Sequence, residues 1–349
     1  MIEIGIANWF VMRASPVSFV RELKTQIMPI THMPRRAFLA GTLAASVAPQ
    51  LLTAATPDAV GAIDTHTHFY DPTRPHGVKW PAKNETALYR TILPGEFKKL
   101  AAPLGIVGTV VVEASPVVED NQWVLDLATK EPFIVGLMGH LKPGRPGFAE
   151  DLKRFAANPK FRGARVGGWD TSLEGPDTAF GRDLRLFVER DLAIDVMANA
   201  GTLPVVAAIA KALPGLRIII NHSAGVKFDG QAPPAEWCDG IRSCAGNPNV
   251  FMKFSGLVEM TGRKKGEVPA DIAYYRPALD VIWEAFGEDR VVFGSNWPVS
   301  APFAPLAVVH QLAVDYGRSK GIAALAKLMH VNARKVYKLA GNVASAPRK

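Results

Sequence analysis

The sequence predicts an α/β protein built as a single (β/α)8 TIM barrel. Eight short apolar runs follow residue 61, and such runs are typical of parallel strands that are buried on both faces. Helical patterns separate these runs, and Pro and Gly fall mainly between the two kinds of segment. Eight such units in about 280 residues favour a closed barrel over an open sheet.

The predicted strands and helices alternate along the chain. The strands are Ala62–His68, Val107–Ala114, Phe133–Leu141, Arg162–Val166, Ala193–Asn199, Arg217–His222, Val250–Ser255 and Val291–Asn296. The helices are Asn121–Lys130, Gly147–Asn158, Phe180–Arg190, Leu203–Leu213, Ala235–Ala245, Ala273–Phe286, Pro305–Tyr316 and the closing Ile322–Leu339. In such barrels the active site lies at the carboxyl ends of the strands, so polar side chains there should converge.

The first strand carries a His-x-His pattern close to its carboxyl end. Side chains on a strand alternate between its two faces, so Asp64, His66 and His68 project to one side. Two neutral imidazoles on one face can share a metal ion, hold a substrate oxygen or shuttle a proton. The pattern alone is equally compatible with two hydrogen-bonded structural histidines.

Polar residues also lie at the ends of other predicted strands. They are Glu113 on the second strand, Arg165 on the fourth, His222 on the sixth, Lys253 on the seventh and Asn296 on the eighth. Lys253 is expected deeper in the barrel as a paired structural cation. Some aromatic residues could line the pocket or simply pack in the core: Trp169, Trp297 and either Tyr274 or Tyr275. Each residue alone has an ordinary structural explanation, but their joint placement predicts an active site.

The same stretches resemble the amidohydrolase superfamily, and within it the amidohydrolase 2 branch that includes sugar-lactone and dicarboxylate-lactone hydrolases. The resemblance covers about residues 61–341. Its motifs are Ile63–His68, Phe161–Arg165, Asn221–Gly225, Asn249–Leu257, Phe293–Pro298 and Asn332–Tyr337. It implies a barrel hydrolase that acts on a small ester-like substrate, most of all a lactone.

The chain departs from the family at the barrel rim. Metal-dependent members commonly have a histidine on strand five, whereas Ala193–Asn199 contains none. Some members place a bridging lysine on strand four, where this chain offers Arg165, which cannot bind a metal. The family usually carries a catalytic Asp at the end of strand eight, where this chain has Asn296, and an amide cannot take a proton from water.

Two designs for ester hydrolysis follow from these residues. In the first, one divalent ion, zinc or manganese, on His66, His68 and His222 lowers the pKa of a bound water. In the second, which resembles the metal-free lactonases of this branch, the three histidines and Arg165 bind the substrate directly. Arg165 suits a carboxylate because its planar guanidinium donates two parallel hydrogen bonds, and its alternative role is an ion pair.

The residue that acts as the general base is not decided by this pattern, because the Asn296 amide cannot take a proton from water. Glu113 is the best candidate within the barrel, and we expect its carboxylate to face the histidines. Its alternative role is a buried partner of Arg165 or Lys253. Asp170 is a candidate from a loop, and Asn296 is expected to orient water or hold an oxyanion.

The first 55 residues are predicted to be an extension outside the barrel domain, which we place at residues 56–349. Pro34–Gly41, with Arg35-Arg36, resembles a twin-arginine export signal, and an Ala-rich apolar run and small residues follow it. The protein is therefore expected in the periplasm. The apolar run is too short for a membrane span, so no stable membrane anchor is expected.

Composition restricts the partners. The formal net charge is +8, but no basic run with interleaved aromatic residues is present, so no nucleic-acid partner is expected. The expected partner is a small, polar or anionic substrate, and the oligomeric state is left open. The alternatives to a lactonase are a metal-dependent C–N hydrolase or decarboxylase, and a ligand-binding barrel weakened by the loss of the strand-eight Asp.

Overall fold

The computed structural model describes residues 61–167 and 177–339. Its eight strands form one parallel sheet in chain order, and the predicted TIM barrel is confirmed. The strands are β1 Ala62–Thr67, β2 Ile106–Val112, β3 Ile134–His140, β4 Phe161–Val166, β5 Ala193–Val196, β6 Arg217–Ile220, β7 Val250–Phe254 and β8 Val291–Phe293. Several observed strands end before the predicted ones, so the polar residues at their carboxyl ends lie on the following turns.

Helices follow the strands around the barrel. They are α1 Pro94–Ala101, α2 Asp120–Lys130, α3 Phe148–Ala156, α4 Ala179–Glu189, α5 Leu203–Ala212, α6 Ala235–Ala245, α7 Arg276–Phe286, α8 Leu306–Ser319, α9 Ile322–Ala326 and α10 Asn332–Tyr337. Helix α3 illustrates their packing, because Phe148, Leu152 and Phe155 recur at helical spacing and are buried. The sequence did not predict α1, and a π-helical turn at Lys327–Val331 divides the single predicted closing helix.

The inside of the barrel is a packed core rather than a channel. Side chains from the strands fill it, among them Ile63, Val112, Ile219 and Val292. Helix α10 adds further apolar side chains to this cluster, so it covers the end of the barrel opposite the strands' carboxyl ends. The open end of the barrel is therefore the one where the strands have their carboxyl ends, and the polar strand-end residues lie there.

The barrel closes where β8 lies against β1. The backbone N–H of Asn296 donates to the His66 carbonyl at 2.8 Å, and Thr65 Oγ1 donates to the Phe293 carbonyl at 2.6 Å. The buried Asp64 carboxylate accepts from the backbone N–H groups of His66, at 3.0 Å, and Ser295, at 2.9 Å. This β1–β8 seam fixes the two β1 histidines beside Asn296.

Some predictions lie outside the described part of the chain. The twin-arginine motif and the extension before the barrel fall in residues 1–60, and Trp169 and Asp170 fall between the two described ranges. The boundary at residue 56 therefore stays a prediction. Within the described residues, every helix is too short or too polar to cross a membrane.

Candidate active site

Three histidines converge at the carboxyl end of the barrel, as the sequence predicted. The ring centroids of His66 and His222 are 4.4 Å apart, and those of His66 and His68 are 5.0 Å apart. All three side chains are nearly inaccessible to solvent, with exposures of 0%, 3% and 6% for His66, His68 and His222. Together they can act on one substrate oxygen.

Two glycines make room for the imidazole rings. A Cβ at Gly294, at the end of β8, would lie 2.7 Å from the Cβ of His66. A Cβ at Gly256, after β7, would lie 3.0 Å from the Cβ of His222, and the φ of +70° at Gly256 also favours glycine. The backbone therefore approaches both rings more closely than another residue would allow.

His222 stands on a left-handed turn that follows β6. His222, Ser223 and Ala224 have φ values of 51°, 49° and 53°, and Gly225 continues the turn at 67°. The backbone N–H of His222 donates to Ser255 Oγ at 3.0 Å, which ties this turn to the end of β7. The turn brings the imidazole beside His66 instead of continuing along the strand.

Lys253 lies beneath the histidines and is fully buried. Its Nζ donates to Asp195 Oδ2 at 2.6 Å and to the Thr65 carbonyl at 2.9 Å, and it lies 3.4 Å from His66 Nδ1. Burial lowers the pKa of Lys253, and the Asp195 carboxylate opposes that shift. Tyr337 donates to the second oxygen of Asp195 at 2.9 Å. The prediction that Lys253 is a paired structural cation is confirmed.

The partners of Nδ1 favour one position for the ring hydrogen in His66 and in His222. An ammonium group has donors only, so His66 Nδ1 must accept and the neutral ring carries its hydrogen on Nε2. This Nε2 is buried and has no partner among the described residues. The Ser255 hydroxyl lies 3.0 Å from His222 Nδ1 and can donate to it, which leaves the hydrogen of His222 on Nε2 as well. Both rings therefore offer an N–H donor.

His68 has the opposite arrangement. Its Nδ1 donates to the Val112 carbonyl at 3.0 Å, so the neutral ring has its lone pair on Nε2, 3.2 Å from Asn296 Oδ1. Burial lowers the pKa of His68 to about 4, with a further lowering by Arg165, and burial also lowers the pKa of His66 and His222. The site at pH 7 thus contains two imidazole donors and one imidazole acceptor, all neutral.

Glu113 is paired with Arg165, which was its alternative role. Arg165 Nε donates to Glu113 Oε1 at 2.8 Å, and His140 Nδ1 lies 3.8 Å from the same oxygen. Burial would raise the pKa of Glu113, but His140 and the Arg165 charge outweigh it and hold the pKa below its usual value. This pairing argues against Glu113 as the general base, because a carboxylate held by a permanent cation is a weak base, and the assignment stays a prediction.

A pocket of about 360 Å³ opens above these residues. Its lining includes His68, Trp80, Pro116, Glu113, His140, Arg165, His222, Asn296 and Val299. The sequence analysis missed His140, although it ends β3 as the other site residues end their strands. It also missed Trp80, which stands on the loop after β1 with its ring 5.6 Å from that of His68.

Two of the aromatic residues proposed to line the pocket, Trp297 and Tyr275, pack in the core instead. Trp297 is 2% exposed and packs against Phe97, with ring centroids 5.2 Å apart. Tyr275 is fully buried and packs against Phe228 at 5.4 Å. These contacts are those of the core between strands and helices, which agrees with the alternative of plain packing.

Asn296 lies between His68 and a carboxyl group that the sequence analysis did not single out. Asn296 Oδ1 is 3.2 Å from His68 Nε2, and its Nδ2 donates to Glu259 Oε1 at 2.7 Å. Glu259 begins a short 3₁₀ turn, Glu259–Thr261, five residues after β7 ends. No strand-end rule selects it, since its approach to Asn296 depends on the path of that loop.

Comparison with known proteins agrees with this arrangement of strands and histidines. Residues 63–339 match the family model described as Amidohydrolase. The chain belongs to the amidohydrolase family. The match begins in β1 of this amidohydrolase and extends past α10, so it includes every strand and every site residue described above.

Relatives of this amidohydrolase include two named L-fucono-1,5-lactonase. One, from Burkholderia ambifaria, is 31% identical over 240 residues, which are 68% of this chain and 80% of the relative. The other, from Burkholderia multivorans, is 26% identical over 274 residues, or 75% of this chain and 90% of the relative. A crystal structure of an amidohydrolase from Burkholderia multivorans with bound zinc is 25% identical with a TM-score of 0.71, covering 80% of this chain and all of that one.

The donor set of this amidohydrolase does not fit a firmly held divalent ion. A metal on His66 Nε2 would move the ring hydrogen to Nδ1, where it would face the Lys253 ammonium, another donor. Residues 61–167 and 177–339 contain no group of three His, Cys, Asp or Glu side chains placed to hold a metal ion. The expected ligand set of His66, His68 and His222 is thus arranged for hydrogen bonding.

Proposed function

We propose that this amidohydrolase hydrolyses a lactone, the cyclic ester of a sugar acid or of a dicarboxylic acid. The observation that carries the proposal is the set of three buried, neutral imidazoles, of which His68 and His222 line a small pocket together with Arg165 and His66 lies directly beside them. Two relatives named L-fucono-1,5-lactonase support a sugar lactone as the substrate class.

The two imidazole donors act on the carbonyl group. His66 and His222 each direct an Nε2–H toward the carbonyl oxygen, which becomes negatively charged when water adds to the carbon. Donors fixed before the reaction stabilise this oxyanion without reorganising, and the loss of one such donor typically lowers kcat by about 10²–10³. The Lys253 and Ser255 contacts keep both rings in the donor form.

His68 handles the proton. Its Nε2 lone pair takes a proton from the attacking water as the C–O bond forms, and the resulting imidazolium donates to Asn296 Oδ1. The tetrahedral intermediate then collapses, the bond from the carbonyl carbon to the ring oxygen breaks, and His68 returns the proton to that oxygen. The product is the open hydroxy acid.

Arg165 binds a polar or anionic part of the substrate. It lines the pocket, and Glu113 holds its Nε side so that the guanidinium keeps one orientation. The net charge of +8 adds a field that attracts anions.

With Arg35-Arg36 as an export signal, the reaction would take place in the periplasm.

The proposal is tested by assaying the full chain with 1,4- and 1,5-sugar lactones and dicarboxylate lactones, with and without a chelator. We expect lactone hydrolysis that the chelator leaves unchanged. His66→Asn and His222→Asn should each lower kcat by about 10²–10³. His76→Asn, on the exposed loop after β1, is the matched control and should change nothing.

Two results would contradict the proposal. Failure to hydrolyse any of these lactones would remove the assigned activity. Loss of activity with the chelator, restored by zinc or manganese, would show that a metal ion takes part and that the donor arrangement of His66 is not the active one.

A further inference from the structure

The Glu259 carboxyl group has no part in the mechanism above, yet it is buried against the site. One oxygen accepts from Asn296 Nδ2 at 2.7 Å, and the other, Oε2, is buried without a hydrogen bond to any described residue. Burial raises the pKa of Glu259 to about 7, against the smaller opposing effects of its own backbone N–H and of the Asn296 hydrogen bond. Burying a carboxyl group with one unpaired oxygen is costly, so its position against a site residue points to a chemical role.

The orientation of the Asn296 amide indicates what this role is. His68 Nδ1 must donate, because its partner is the Val112 carbonyl oxygen. The amide oxygen facing His68 Nε2 is also an acceptor, so it matches an Nε2–H and not the lone pair of the neutral ring. This orientation is therefore complementary to the imidazolium that forms when His68 takes the proton from water.

We propose that Glu259 is a positioning residue whose carboxylate holds the Asn296 amide with its oxygen toward His68. The ionised carboxylate accepts from Nδ2 and so stabilises, through the amide dipole, the positive charge that develops on His68. Glu259 and Asn296 together thus supply the charge that a single carboxylate beside His68 would supply. The inference rests on the proposed function, in which His68 is the base.

The protonated form of Glu259 favours the reverse orientation. A carboxylic acid donates its O–H, so the Asn296 oxygen turns to Glu259 and Nδ2 turns to His68 Nε2. That arrangement occupies the lone pair His68 needs for catalysis. The other titratable neighbours are Tyr275, whose pKa is raised by burial, by Tyr274 and by Glu259, and His68 beyond Asn296. Both are neutral at pH 7, so the Glu259 proton decides the orientation.

The first experiment measures the pH dependence of kcat and kcat/KM for Glu259→Gln. Glutamine keeps an oxygen that accepts from Asn296 but removes the charge. Activity of the unchanged protein should rise with pH, with an apparent pKa near 7. Glu259→Gln should lose about 10²-fold in kcat and lack this limb of the profile, with KM little changed. Glu267→Gln, an exposed residue of the same segment, is the matched control.

A second variant exchanges the two groups. In Glu259→Gln/Asn296→Asp the carboxylate lies beside His68 and the amide lies behind it, so the charge is restored next to the base. We expect at least about tenfold recovery of kcat over Glu259→Gln. A purely structural role of Glu259 would give no recovery, because the second substitution could only disturb the site further.

Nitrogen NMR of the histidine rings gives a readout that needs no substrate. The His68 Nε2 signal, assigned by its loss in His68→Asn, should move with a midpoint near pH 7 and stay constant in Glu259→Gln. A wild-type pH profile and unchanged kcat in Glu259→Gln, or a His68 signal that still moves in that variant, would overturn the inference. If the protein hydrolyses no lactone, the proposed function fails and the NMR result alone supports or overturns the role of Glu259.

Discussion

His66, His68 and His222 are chemically identical side chains that their partners make different. Lys253 beside Nδ1 makes His66 a donor, whereas the Val112 carbonyl at the same ring position leaves His68 an acceptor. The sequence pattern placed all three at one site but could not assign these roles. The roles depend on contacts between residues more than 30 positions apart in the chain, such as Lys253 and His66.

Glu113 and Arg165 can be separated by substitution. Glu113→Gln keeps an oxygen that accepts from Arg165, so we expect kcat to stay within about threefold of the unchanged protein. Arg165→Met removes a charged hydrogen-bond donor to the substrate and should raise KM about tenfold to a hundredfold. Steady-state kinetics with an anionic lactone measures both. A loss of 10²–10⁴ in kcat for Glu113→Gln would instead restore Glu113 as the general base.

Lys253 should matter for stability as well as for catalysis. Lys253→Met leaves the Asp195 charge buried without its cation, which typically costs about 3–5 kcal/mol in the free energy of unfolding. Lys253→Met/Asp195→Asn removes both charges and should recover part of that loss. Urea denaturation of the two variants provides the measurement. Equal loss in both would mean that packing of the lysine stem, and not the charge pair, provides the stability.

The seam between β1 and β8 makes stability depend on pH through Asp64. Burial raises the pKa of Asp64 from 3.8 to about 6, so the folded protein binds this proton more tightly than the unfolded chain. That contribution is fully present below about pH 4 and is lost as the pH rises through 6. The shift corresponds to about 3 kcal/mol.

Asp64→Asn tests this seam. An asparagine oxygen still accepts from the backbone N–H groups of His66 and Ser295, but it has no charge to bury. We therefore expect the variant to lack the decline in unfolding free energy that Asp64 causes between pH 4 and 7. Urea denaturation across that range measures it, with the exposed Asp239→Asn as the control. A parallel decline in Asp64→Asn and the unchanged protein would exclude Asp64 as the cause.

The strands could be predicted because burial on both faces leaves a simple pattern. Runs such as Arg217–Ile220 stand out in the sequence, and the structure places a strand at each predicted position. Helix α1 gave no such signal, since it has only eight residues, begins with Pro94 and follows a long polar loop. The closing helix was predicted as one because its apolar spacing continues through the π-helical turn at Lys327–Val331.

The site residues also divide into those that a sequence rule predicts and those that only the folded structure reveals. Residues at strand ends, such as His222 and Arg165, followed from the barrel rule, and His140 satisfies the same rule. Trp80 and Glu259 lie on loops, and only the folded path of those loops brings Trp80 to the pocket and Glu259 to Asn296. The pairing of Glu113 with Arg165 could not be decided from the sequence, because the position of Glu113 at the rim does not reveal which side chain contacts its carboxylate.

At the scale of the whole protein, the export signal remains a prediction from the first residues. If Arg35-Arg36 directs export, Arg35→Lys/Arg36→Lys should leave the protein in the cytoplasm, because the twin-arginine pair is the recognised feature. Cell fractionation with an antibody against the barrel measures the distribution. Arg13→Lys/Arg21→Lys, in the same segment, is the matched control. Unchanged export of the first variant would show that another signal acts.

The left-handed turn at His222 has a consequence for how far this barrel can be stabilised. Three successive non-glycine residues with positive φ are each strained by about 1–2 kcal/mol, and the buried Ser223 hydroxyl has no partner among the described residues. Ser223→Gly should therefore raise the thermal midpoint while loosening the segment that aims His222, so kcat should fall. A substitution that raises thermostability at this turn would then lower turnover, and selection for a more thermostable enzyme would tend to produce a slower one.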